Sequence, residues 1–211
     1  MSMSCVTNNA HRINKLTPKG DYMINDILSI NDEALLEAVF EAYTALFEVA
    51  QLPTMTEVKE GEKPFLNGYK LISDNGRKLV YRVWSRGADG KAYRLNVAGT
   101  KVPPAFSQQF GSDNMVSLSF IKEGANDFGA TGTGSVTAFN SAFGMMRKIT
   151  DMMGADAISY IPSGGDEKEN SDKARLYTAY FSKFFKEFKP VPKELLPPQQ
   201  ADMGMDIRVK P

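Results

Sequence analysis

Between Met115 and Gly154 the hydrophobic period of this chain changes from two residues to between three and four, across a run of small residues. Val116, Leu118 and Phe120 alternate with Ser117 and Ser119, which predicts a half-buried strand over Met115–Lys122. The loop Gly124–Gly134 is rich in glycine and threonine. Beyond it Val136, Phe139, Phe143, Met146, Ile149 and Met153 form one helical stripe that ends at Gly154, a C-cap. A strand, a loop of small residues and a helix N-terminus can together present backbone N–H groups to an anionic ligand. The short apolar run Ala157–Ile161 follows the helix, so it must return as a strand parallel to the first, by a right-handed crossover.

The remaining elements are arranged around that unit. Leu35, Leu36, Val39, Phe40, Tyr43, Leu46, Phe47 and Ala50 recur at helical spacing after the N-cap Asn31, and Pro53 closes this helix, which is expected to pack on a sheet. Residues 53–64 read as a connection. Tyr69–Ser73 and Lys78–Ser85 flank Asp74-Asn75-Gly76, a strong hairpin signal. Leu79, Tyr81 and Val83 alternate with Val80, Arg82 and Trp84, so the second strand is apolar on both faces and central. Asp89-Gly90 turns the chain into a third strand at Lys91–Ala98, and 99–113 reads as a loop. Ser163–Lys173 is charged and flexible. Tyr177, Tyr180, Phe181, Phe184, Phe185 and Phe188 line a last helix ended by Pro190. The expected fold is α+β: a mixed, mostly antiparallel sheet flanked by helices. One domain spans 23–189, with a flexible arm at 1–22 and an extended, proline-rich tail at 190–211.

Charge and composition exclude several classes of function. The 25 basic and 25 acidic residues balance, so no global field recruits nucleic acid or an anionic membrane. Cys5 is the single cysteine and His11 the single histidine, which leaves no intramolecular disulfide and no zinc site built from His and Cys. No apolar run reaches the ~20 residues that span a bilayer, and no secretory signal opens the chain. The expected location is the cytoplasm.

The segment Gly129-Ala130-Thr131-Gly132-Thr133-Gly134-Ser135 invites phosphate-binding readings. A Walker A loop needs lysine after its last glycine, where Ser135 stands. A dinucleotide fingerprint needs a third glycine where Thr137 stands, and the antiparallel strands upstream do not suit a Rossmann unit. As a structural alternative, Thr131, Thr133 or Ser135 could satisfy the free N–H groups of the helix internally.

On these residues the stretch Met115–Phe188 resembles the core of the GNAT acyltransferase superfamily. In that superfamily a strand ends in a loop written Gln/Arg-x-x-Gly-x-Gly/Ala, and the following helix N-terminus holds the pyrophosphate of acetyl-CoA. Gly132 and Gly134 match the two small positions, whereas Gly129 stands where Gln or Arg is expected. Asn170 lies seven residues before Tyr177, as in the family; Ala174 is displaced by one position, and the family's Gly-Phe after that helix is absent. The pattern from Tyr81 onward is also similar to small GNAT-like proteins of tailed bacteriophages. The resemblance implies that Gly129, Thr131, Gly132, Thr133, Gly134 and Ser135 would hold acetyl-CoA and that Tyr177 would protonate the departing thiolate. Glu123, at the strand end, is the candidate general base for an amine.

Each role has a plain competitor. Tyr177 lies on the apolar stripe and suits a core tyrosine, Glu123 suits a solvated carboxylate, and Arg175 suits either a phosphate or open water. Met145, Met146, Met152 and Met153 read as core and its margins. The enzyme expectation is acetyl transfer from acetyl-CoA to a primary amine, with no metal. Its rival is a catalytically inactive GNAT-like scaffold that binds a host or virion protein, and a third option is a structural component of a virion. The geometry of the two parallel strands separates them: a splayed, open cleft admits CoA, and a cleft filled by aromatic rings does not.

Overall fold

The computed structural model describes residues 51–86, 92–123, 136–161, 177–202 and 204–211. The expected arm at 1–22, the helix at 31–50, the turn at Asp89-Gly90 and the charged segment Ser163–Lys173 lie outside them. So does the glycine-rich loop.

The described strands form one eight-stranded mixed sheet. In chain order they are β1 (Thr56–Glu57), β2 (Gly68–Asp74), β3 (Lys78–Arg86), β4 (Ala92–Lys101), β5 (Met115–Lys122), β6 (Ala157–Tyr160), β7 (Lys189–Pro190) and β8 (Asp206–Val209). The helices are α1 (Pro104–Ser107), α2 (Val136–Met152), α3 through 177–184 and α4 (Pro198–Asp202). Across the sheet the order is β1-β2-β3-β4-β5-β6-β8-β7.

Strands β2 to β5 form an antiparallel meander, as the alternating pattern predicts. The first hairpin closes where Asn75-Gly76 stands. Gly76 takes the positive φ of 75° that glycine tolerates best. The Asp74 carboxylate accepts from Gly76 N at 2.8 Å, and the Asn75 side chain accepts from Arg77 N and Lys78 N. These Asx bonds replace the ladder bonds that the turn cannot make. Strand β6 pairs parallel with β5 after the α2 crossover, again as expected, from Met115–Ala157 to Leu118–Tyr160.

Helix α2 lays its apolar stripe on β3, β4 and β5. At Gly99 the approach is so close that a Cβ would stand 2.4 Å from Ile149 Cγ2. Gly144, on another face of α2, makes room for the chain at Pro53 and Met55. The main core gathers Val83, Leu95, Val97, Leu118, Phe143 and Ile149 with the aromatic residues of α3. A second, smaller core lies around Met115, Ala157, Leu196 and Ile207.

Three expectations are corrected. The proline-rich end 190–211 is not an extended tail: β8 pairs antiparallel with β6, and Ile207 and Arg208 are buried. Its prolines start local turns and helices and do not stop the fold. Pro192 precedes a 3-10 turn at Lys193–Leu195, and Pro198 opens α4, where a missing N–H costs nothing. The last helix ends at 184, ahead of Pro190, and Phe185 and Phe188 reach the core from an irregular turn while Lys189–Pro190 joins the sheet. The stretch 99–113 carries the end of β4, then α1 and a 3-10 turn at Gln108–Phe110. Phe106 and Phe110 pack from there onto the second core.

Candidate functional site

The parallel strands β5 and β6 set the geometry of the candidate site. Their register stops at the pair Leu118–Tyr160, while β5 runs on for four residues, Ser119 to Lys122, paired only with β4 among the described residues. An opening beside β5 would have to lie there. Aromatic rings occupy the place. Phe120 points from β5 into a cluster with Phe139 and Phe143 of α2, Tyr160 of β6 and Tyr177 of α3. Tyr177 stacks on Phe139 at 5.5 Å and on Phe143 at 6.2 Å between centroids, and it meets Phe120 edge-on at 5.9 Å. Such offset and T-shaped contacts are the preferred aromatic geometries.

Tyr177 is therefore a core residue, 7% exposed. Burial raises its phenol to about 12, and the Tyr160 hydroxyl, which donates to the Tyr177 oxygen, partly offsets the rise. Tyr160 is pushed well above the usual tyrosine value, first by burial and then by Tyr177 beside it. A phenol this acid-weak keeps its proton at neutral pH. What limits it as a general acid is access to a leaving group within hydrogen-bond reach.

Glu123 lies one residue beyond β5, and its amide donates to Arg94 O at 2.8 Å. The in-register β3–β4–β5 pairing brings Arg82 and Arg94 to the same face. Arg82 Nη2 donates to Glu123 Oε1, and Arg94 Nε stands 2.5 Å from Oε2 as an ion pair off the hydrogen-bonding direction. A carboxylate held by two guanidinium groups is a cross-strand clamp. To serve as a base it would have to give up both partners.

The expected cofactor-binding residues Gly129, Thr131, Gly132, Thr133, Gly134 and Ser135 lie outside the described residues, as do Asn170, Ala174 and Arg175. Of the predicted set the structure thus places Glu123 and Tyr177, and it does not bring them together. Glu123 belongs to the sheet face of Arg82 and Arg94, and Tyr177 to the α2 side.

One polar cluster has no counterpart in the sequence reading. Ser141, fully buried in α2, shares its hydroxyl proton between Thr137 O at 2.8 Å and Asn67 Oδ1 at 2.7 Å. Its oxygen lies 3.0 Å from Ser85 Oγ. Asn67 takes a positive φ of 61° and donates its amide to Trp84 O. The cluster ties the start of β2 and the end of β3 to α2. Its hydrogen bonds fasten the helix to the sheet. Asn67-Gly68 was its one legible signal, a turn dipeptide.

Among the described residues no three His, Cys, Asp or Glu side chains gather as metal ligands, and no helix is long and apolar enough to cross a membrane. No protein-family model, curated protein or solved structure matches the chain. Its functional reading therefore rests on its own residues.

Proposed function

We propose that this chain is a GNAT-like scaffold that acts by binding another protein, a host or virion component, and not by acyl transfer. The observation that carries this reading is the enclosure of Tyr177. The residue that the resemblance assigns to the thiolate is walled in by Phe120, Phe139, Phe143 and Tyr160, and its hydroxyl is engaged by Tyr160. The clamp on Glu123 supports it as well, because it occupies the other candidate catalytic group. The GNAT-like part of the reading is supported by the antiparallel meander and by β6 returning parallel beside β5 across α2.

The end of β5 that β6 does not reach favours a second reading, an acetyl-CoA-dependent N-acetyltransferase acting on a primary amine. Backbone N–H groups along Ser119 to Lys122 lack a β6 partner and could polarise a thioester carbonyl. Calorimetric titration with acetyl-CoA separates the two. The scaffold reading expects no binding heat up to millimolar ligand. Saturable binding that Gly134→Val abolishes would overturn it in favour of the transferase.

A further inference from the structure

We propose that Asn75 is a self-modification site, converted to aspartate and isoaspartate by a turn that supplies both a base and an oxyanion site. The chain holds two Asn-Gly pairs, Asn67-Gly68 and Asn75-Gly76. A glycine after asparagine puts no side chain in the way of its own backbone nitrogen, so that nitrogen can approach the asparagine Cγ. Around Asn75 the other parts of the reaction are in place. The Asp74 carboxylate accepts from Gly76 N, the attacking atom, at 2.8 Å. Arg77 N and Lys78 N both donate to Asn75 Oδ1, at 3.1 and 2.7 Å. Residues 74–78 are all exposed, and a Cβ on Gly76 would meet nothing within 4 Å. Water therefore reaches the turn, and the departing group can leave it.

The step follows from those contacts. Asp74 takes the Gly76 amide proton as the nitrogen attacks Asn75 Cγ and a C–N bond forms. The carbonyl electron pair moves onto Oδ1, where the amides of Arg77 and Lys78 already point, a small preorganised oxyanion site. Collapse expels the side-chain nitrogen, which takes the proton back from Asp74 and departs as ammonia, leaving a cyclic imide. Water opens the imide at either carbonyl. One opening gives aspartate, and the other gives isoaspartate, whose backbone is longer by a methylene. Each product sets a new carboxylate beside Asp74. Isoaspartate also moves the acceptor away from Arg77 N and Lys78 N, and the tip of the β2–β3 hairpin loosens. Asn67-Gly68 is the same dipeptide without this arrangement. Asn67 Oδ1 is held by Ser141 Oγ, and Gly68 N donates to Phe65 O, a backbone carbonyl and not a base. Gly68 is also hemmed in, since a Cβ there would stand 2.6 Å from Val58 Cγ2. The inference does not depend on whether the chain is a scaffold or a transferase.

The test is incubation of the folded full chain at neutral pH, followed by peptide mapping that separates asparagine, aspartate and isoaspartate at each site. Wild type is expected to convert Asn75 at least about tenfold faster than Asn67. Asp74→Ser keeps a turn acceptor for the Gly76 amide but no carboxylate base, and should slow Asn75 by about tenfold or more. Asn67 should stay protected in that variant, which shows within the same molecule that the sheet has formed. In denaturing urea the two asparagines should convert at similar rates, and Asp74→Ser should change neither. A folded wild type in which Asn75 stays an amide, or converts no faster than Asn67, would overturn the proposal. So would an Asp74→Ser chain with Asn67 protected and Asn75 converting as in wild type.

Discussion

The rings of Tyr160 and Tyr177 stand 4.7 Å apart, and the two hydroxyls share one hydrogen bond inside the aromatic core. Each phenol is harder to ionise there than in water, Tyr177 rising from 10.0 to about 12. An acid whose folded value exceeds its unfolded one stabilises the fold fully below the unfolded value and loses that contribution as pH rises through the folded value. The expected outcome is a native state that loses stability between pH 10 and about 12, followed by urea unfolding across that window. Tyr177→Phe should flatten this alkaline loss. At neutral pH it should cost only about 0.5–1.5 kcal/mol, the net worth of one hydrogen bond.

Asp156 gives the opposite sign. Burial alone would raise its carboxyl, but the Ser112 hydroxyl at 2.5 Å and the amides of Asp113 and Asn114 outweigh this and lower it below the ordinary 3.8. The contribution is present above the ordinary value and disappears as pH falls through the folded one. Asp156→Asn keeps an acceptor but loses the charge, and should cost about 1–3 kcal/mol at neutral pH. The difference from wild type should shrink in acid. Urea midpoints at neutral pH and below the carboxylate range check both parts.

Strand β5 and the Asn75-Gly76 hairpin were legible because period and turn chemistry act locally, over a few residues. Tyr177 illustrates the limit of such reading. A helical stripe says that a tyrosine faces inward, yet not whether inward means a core or a cleft, since that depends on where Phe120 and Tyr160 lie in space. Glu123 illustrates another. Its partners Arg82 and Arg94 come from two other strands, and only the β3–β4–β5 register brings them within reach. The prolines at 192, 197 and 198 misled for a third reason. Composition favours an extended tail, whereas Ile207 and Arg208 find buried places beside β6 that only the assembled sheet provides.

Gly99 marks a close approach between α2 and the sheet. A Cβ there would meet Ile149 Cγ2 at 2.4 Å, Met153 Sδ at 3.0 Å and Val116 Cγ1 at 3.2 Å. The methionine can yield, but the branched methyl of Ile149 is fixed by its own backbone. Gly99→Ala should therefore cost about 1–3 kcal/mol through overpacking. Ile149→Ala should cost about 2–5 kcal/mol by opening a cavity. The double variant should lose less than the sum, because each change fills or relieves what the other creates. A thermodynamic cycle from urea melts measures this. Strict additivity would mean that the two residues are not in the contact described.

Arg208 fastens the C-terminal strand to α3. The residue is 2% exposed; its Nε donates to Asp206 at 3.0 Å, Nη1 to Ser182 Oγ at 3.2 Å and Nη2 to Thr178 O at 3.3 Å, with the guanidinium over the Phe181 ring. Three acceptors in three directions fit a planar fork, and a lysine ammonium at the end of a flexible stem cannot meet them together. Arg208→Lys should therefore behave almost as badly as Arg208→Met. Each is expected to lose about 3 kcal/mol, the scale of breaking a buried charge pair. Asp206→Asn should be milder, because the Asp206 side chain still reaches solvent. Urea unfolding ranks the three variants, and amide exchange along Asp206–Val209 shows whether β8 opens first. Equal costs for Arg208→Lys and Asp206→Asn would mean that the ion pair, and not the fork onto α3, holds the strand in place.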